Sequence, residues 1–395
     1  MTPDALIITR ISDAELERRW AAVREVMRAR GWDALVLQNT NDWLGGYVKW
    51  FTDLPATNGY PRTIVFPVSG AMTVVEMGPF EHQRQLNSRD RLHRGVNRLV
   101  TTPSFPSINY TNTYDAEIVI DALSRCRSIA WINPGALPYG LIGHVEKALG
   151  PKVVFADATE EIDRIKAVKS PEEIALIRKA TSLQDDVFAS VLGFVRPGLR
   201  DIDVTAFAQH QALVLGSEQG IFLGVSAPIG VRSPFMPRWA QGRTLEGGDH
   251  LSLLIEVNGP GGFYTEIART IILGRASNEL QAAFQSVKDA QDHSLSLIRP
   301  GAMPAAIHAA HNEWMQDRSL PTETRLYAHG QGYDMVERPL IRKDETMPLA
   351  ENMCLAVHPG FETESLFAVI CDNYLVEANG PSECLHRTEK RLFEI

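Results

Sequence analysis

Cysteine is scarce in this 395-residue chain. The four present (Cys126, Cys354, Cys371, Cys384) cannot form a disulfide scaffold, and no CxxC step offers a structural zinc site. Positive charge is not in excess: 39 Lys and Arg against 48 Asp and Glu leave a formal charge of −9. This argues against a surface built for nucleic acid or anionic lipid. No apolar run approaches the ~20 residues that span a bilayer. The opening MTPDALIITRISDAELERRW carries acids early and does not read as a signal peptide. These absences predict a cytoplasmic protein that engages neither membrane nor nucleic acid. What is present is ordinary globular composition, 44% hydrophobic and 22% charged, with length enough for two or three domains.

The first 160 residues alternate helix and strand. Ser12 and Glu15 form a capping-box pattern for a helix over about 12–30, closed by Gly31. Short apolar runs at 33–38, 62–68, 72–77, 128–133 and 152–157 read as strands, with a helix near 138–149. An α/β domain is expected over 1–160. A second capping box, Ser170-Pro171 with Glu173, starts an amphipathic helix to about 194.

Residues 161–395 contain an internal echo. Arg-Pro-Gly begins at 196 and again at 299, each time after one long helix and before another. Strand-rich segments follow both copies. Two α-α-β-β halves predict a pseudo-two-fold domain with its pocket where the halves meet.

Four clusters in this domain can carry chemistry. Glu256 and Glu266 flank an Asn-Gly-Pro-Gly-Gly hairpin, ten residues apart, and can converge on one side. His329 precedes Gly-Gln-Gly, with Glu337 eight residues on. His358 ends an apolar strand in Val-His-Pro-Gly, and Cys371-Asp372-Asn373 sits between apolar runs near the C-terminus.

The segments IKAVKSPEEIALIRKA, GFYTEIARTIILG, YAHGQGYDMVERP and NMCLAVHPG, in that order, resemble the pita-bread (M24) hydrolases. The likeness is to the aminopeptidase P, prolidase and creatinase branch. It implies an α/β plus α+β architecture: an N-terminal α/β creatinase-like domain over 1–160 and a pseudo-two-fold pita-bread catalytic domain over 161–395. The metal-dependent members hold two divalent cations with two Asp, one His and two Glu. By that resemblance the ligand positions fall on Ile255 or Glu256, then Glu266, His329, His358 and Cys371. Only His329 keeps the family's residue, and the family's second His is Val336 here. Losing carboxylates weakens the compensation for two dications.

The resemblance to creatinase, which needs no metal and has a Tyr-Thr step like Tyr264-Thr265, then implies a metal-independent hydrolase of a C–N bond in a small substrate, with no cofactor. Creatinase's catalytic His has no counterpart here, because that position falls on Pro237. In this reading His358 is the general base, His329 polarises the scissile group, and Glu337 or Glu266 orients the base or holds a cationic substrate. Phe235, Arg238 and Trp239 line the pocket. Trp50, Tyr60 and Arg62 of the first domain reach a partner subunit's site, with Arg62 as carboxylate clamp, in a homodimer. Three alternatives stand beside it. One divalent Fe, Mn or Zn could sit on Glu266, His329 and His358, with Asp372 as a further ligand. The chain could be a metal-dependent Xaa-Pro aminopeptidase-like hydrolase with a remodelled site. It could also be a non-catalytic pseudopeptidase that binds peptide.

Overall fold

The computed structural model describes residues 9–41, 46–57, 59–80, 82–88 and 90–395. Contacts divide it into two units, Arg10–Lys166 and Ala167–Ile395. The expected boundary at 160 falls inside the helix Thr159–Ala167. Among the described residues no helix is long and apolar enough to cross a membrane.

The first unit opens with α1 (Asp13–Arg30). The Ser12 side chain accepts from the Glu15 amide, and Gly31 closes the helix at φ 70°. Strands β1 (Ala34–Asn39), β2 (Arg62–Pro67), β3 (Met72–Met77), β4 (Gln83–Gln85), β5 (Val96–Thr102), β6 (Ser128–Trp131) and β7 (Val154–Asp157) form one mixed sheet, in the order β4-β5-β3-β2-β1-β6-β7. Strand β1 is buried along its whole length, as a central strand covered on both faces must be. Its Ala34 and Val36 pack on helices Asn112–Ala122 and Tyr139–Leu149.

The second unit has two similar halves. Helices α2 (Pro171–Phe194) and α3 (Asp201–Val214) precede β8 (Gly220–Ala227), β9 (His250–Asn258) and β10 (Tyr264–Ile272). Helices α4 (Asn278–Leu297) and α5 (Pro304–Asp317) precede β11 (Ala328–Gly330), β12 (Glu337–Leu340), β13 (Cys354–Val357), β14 (Gly360–Glu362), β15 (Phe367–Val369) and β16 (Asp372–Glu377). Both strands of the Ser170 capping box form, starting α2. Each Arg-Pro-Gly turns the chain between paired helices. Gly198 and Gly301 lie at φ +91° and +83°, a region open to glycine at little cost.

Each half has its own core. Leu253, Ile255, Val257 and Ile267 pack under α2 and α3, while Leu355, Val357, Tyr374 and Val376 pack with residues of α4 and α5. The two sheets meet at a bridge between Ala268 and Cys371, whose backbones exchange hydrogen bonds of 3.3 and 3.4 Å. A small cluster of Leu254, Ala268, Ala356 and Cys371 fills that seam.

Candidate active site

Strand alternation selects what faces the seam. Glu256 and Glu266 are direct partners across the β9–β10 ladder, so both point to one face. Leu254 and Ala268, one step of two along, share that face and pack in the seam, whereas Ile255 points into the helix-side core. The family position that could have fallen on Ile255 or Glu256 is therefore served by Glu256. On the other sheet, Ala356 and Cys371 face the seam. By the same period of two, His358 follows Ala356 and Asn373 follows Cys371 onto that side.

Three of the expected residues converge. Ligand atoms of Glu266, His329 and His358 lie within 4.8 Å of one another. His329 Nε2 stands 3.7 Å from Glu266 Oε2, and the two imidazoles meet edge to face with centroids 5.2 Å apart. His329 Nδ1 is 2.9 Å from the Gly330 carbonyl, which can only accept. Nδ1 therefore carries a proton toward that carbonyl, and Nε2 is the nitrogen that faces Glu266. His358 Nε2 is buried without a hydrogen-bond partner.

Electrostatics sort the charges. Burial pushes His358 down to about 4 against the pull of Glu266, so the ring is neutral at pH 7. Burial alone would raise Glu266, but His358 and the His329 hydrogen bond outweigh it and hold the carboxyl at about 2. Burial and the charge on Glu266 hold Glu256 well above the usual carboxylate range, only partly offset by Gln331. Burial also keeps the Cys371 thiol protonated, and Sγ donates to the Glu266 carbonyl at 3.5 Å.

Gln331 and Asn373 lie in clusters that the sequence singled out, but neither was given a role there. Gln331 Nε2 donates to Glu256 Oε1 at 2.9 Å, and its Oε1 accepts from Asn373 Nδ2 at 2.7 Å. Asn373 Oδ1 in turn accepts the Glu266 amide at 2.7 Å. Their only signal was position, two residues beyond His329 and Cys371.

Several expected residues are engaged elsewhere. Asp372 points away from the seam, bound by Arg269 at 2.6 Å and by Gln291. It could group with Cys384 and His386. The Arg269 guanidinium already supplies the positive charge there, so neither that group nor Asp372 as a further ligand suits a cation. Glu337 is ion-paired with buried Lys169 at 2.7 Å, which balances its charge. Phe235 does pack on the seam cluster. Arg238 and Trp239 do not: they lie on a short 3-10 turn, Arg238 bonded to Gln209 and Trp239 84% exposed. In the first unit, Trp50 is a core side chain, 1% exposed, edge-on to Phe51 and beneath Arg19. That burial removes it as a pocket wall. Arg62 is spent on Glu76 and the Pro55 carbonyl rather than left as a free clamp. Tyr60 tilts against Phe105. Residues 42–45 and 58 of the same aromatic segment lie outside the described residues.

Comparison with known proteins gives these residues a context. The family model for metallopeptidase family M24 matches residues 175–378, more than half of the chain. An uncharacterized peptidase of Bacillus subtilis is 26% identical over 229 residues, 58% of this chain and 64% of that relative. The match therefore spans less than two thirds of its length. A Xaa-Pro dipeptidase of Pyrococcus furiosus is 24% identical over 261 residues, 65% of this chain and 74% of its own. Among solved structures, an X-Pro aminopeptidase from Thermotoga maritima superimposes with a TM-score of 0.80 at 15% identity, covering 95% of this chain and 99% of that one. The expectation of a site with no cofactor is corrected by this match. The family is one of metallopeptidases, and the seam presents two imidazole nitrogens and a carboxylate that suit a metal.

Proposed function

Because the chain belongs to metallopeptidase family M24, we propose that it is a metal-dependent hydrolase of C–N bonds in small peptide-like substrates, with one divalent ion held by Glu266, His329 and His358. The observation that carries this reading is the convergence of Glu266, His329 and His358 within 4.8 Å, with His358 Nε2 buried and unpartnered and the Glu266 carboxyl held low. Two-His-one-carboxylate sets suit Fe, Mn or Zn. They fit one ion better than two. Glu256 is pushed up by burial and by Glu266 and is tied to Gln331, Cys371 is a protonated thiol, and Asp372 is held by Arg269.

When bound, such an ion polarises the scissile carbonyl and supplies a nucleophile near neutral pH. The protein's residues do the rest. His329 is fixed in its ligating tautomer by Gly330. Glu256, its pKa pushed up by burial and by Glu266 and its carboxyl held by Gln331 at 2.9 Å, would hand a proton to the leaving nitrogen. Phe235 covers the seam and keeps water from it. In this reading His358 holds the ion, and the proton work falls to Glu256. The resemblance also supports a homodimer, which sedimentation would test.

The test is elemental analysis of untagged protein with a dipeptide panel before and after chelation. The expected result is about one Fe, Mn or Zn per chain, with hydrolysis lost on chelation and restored by metal. Hydrolysis that survives complete metal removal would sink the reading.

A further inference from the structure

We propose that the cavity lined by Phe235, Arg325, Phe361 and Phe367 is the subsite that selects the substrate, taking an aromatic side chain against the phenylalanines and a carboxylate on Arg325. This deepens the hydrolase reading above and rests on it for the word substrate.

The cavity holds about 330 Å³, the size for a small ligand rather than a folded partner. It adjoins the metal-ligating group. Gly360 on its wall lies two residues past His358, and Arg325 Nη2 reaches the His358 carbonyl at 3.4 Å. Phe235 belongs to both places: it packs on the seam cluster and meets Phe367 edge to face at 5.2 Å. An aromatic ring entering the cavity would join that pair in the geometry aromatics favour.

The charge at this wall is arranged for an anion. Arg325 and Glu323 form a two-pronged pair through Nε at 3.0 Å and Nη2 at 2.6 Å. The Glu323 carboxylate is nearly inaccessible at 2%, whereas Arg325 is 39% exposed. Glu323 is itself fixed, its amide bonded to Asn312 at 2.7 Å. The pair therefore presents its cationic member outward, with the Nε–Nη2 edge held by Glu323 and the Nη1 edge turned to the incoming group. Among the described residues Arg325 Nη1 has no hydrogen-bond partner, so donors remain for an incoming carboxylate. The other rim carboxylate, Glu362, is matched by Arg232 at 3.4 Å. A Cβ at Gly360 would meet the Ala368 carbonyl at 2.7 Å and Arg325 Nη2 at 3.0 Å, so the glycine is needed first for the paired strand and also leaves room for the guanidinium.

The test is calorimetric titration of the full chain with 3-phenylpropionate, which carries both groups. Controls are 3-phenylpropanamide, lacking the charge, and propionate, lacking the ring. Expected are binding of 3-phenylpropionate and affinities at least about tenfold weaker for both controls. Arg325→Met should lose about tenfold or more, and Phe235→Ala similarly, while Arg325→Lys, which keeps the charge without the fork, should fall between. Equal binding by wild type and both Arg325→Met and Phe235→Ala would overturn the proposal, as would no binding at millimolar ligand. His329→Ala separates the two readings. It should lose metal yet still bind 3-phenylpropionate, whereas wild-type protein that holds no metal but binds 3-phenylpropionate would fault the hydrolase reading alone.

Discussion

Glu256 faces Glu266 directly across the β9–β10 ladder, and their surroundings push the two carboxyls apart, Glu256 up and Glu266 down. The two histidines pull Glu266 down, and its charge in turn pushes Glu256 up. Such paired carboxyls divide acid and anion roles between them.

Glu256→Gln copies the protonated form in shape and hydrogen bonding. Its melting temperature should match wild type, and metal content should be unchanged. Turnover should fall by about 10²–10⁴, the usual contribution of a positioned acid. Wild-type turnover in this variant would remove Glu256 from the mechanism.

His358→Ala deletes a ligand without leaving a buried charge, because the ring is neutral at pH 7. Metal per chain should drop to near zero and hydrolysis with it, while circular dichroism stays native. Full metal occupancy in this variant would place the ion elsewhere.

Lys169 and Glu337 are a buried pair, so Lys169→Met strands a carboxylate. The expected loss is about 3–5 kcal/mol in denaturant unfolding. The double variant Lys169→Met/Glu337→Leu should recover most of it, since both desolvation costs vanish together. Equal losses in the single and double variants would mean the pair is not coupled.

His311 is fully buried against Tyr327, with Nε2 unpartnered, and burial lowers it from 6.5 to about 4. The unfolded chain therefore takes up this proton first as pH falls. The contribution is fully present above pH 6.5 and is lost between 6.5 and 4, about 3 kcal/mol in all. His311→Gln should flatten the stability profile over that window. An unchanged slope would show that other groups set it.

The elements were largely legible in the sequence, and the site less so. Ser170, Pro171 and Glu173 announced their helix because capping is local, and the two Arg-Pro-Gly turns announced the halves. The strand Val96–Thr102 went unread because its apolar residues are interrupted by Asn97 and Arg98. Glu266, His329 and His358 come together as the sequence grouped them, but the expectation of a site without a cofactor, drawn from missing carboxylates, is overturned by the metallopeptidase match. Gln331 and Asn373 are polar residues with no motif of their own. Their importance comes from pairing across strands distant in sequence, which a single chain read in order does not display. The resemblance made Trp50 a pocket wall and Arg62 a carboxylate clamp, yet burial claims the one and an ion pair the other.

The bridge between Ala268 and Cys371 has one more implication. Glu266 belongs to the first half of the second unit, and both histidines belong to the second half. Neither half owns a complete set of donors. An ion at the seam would be a clasp as well as a reagent, and any slippage of one half against the other would be felt first as a change in the grip on that ion.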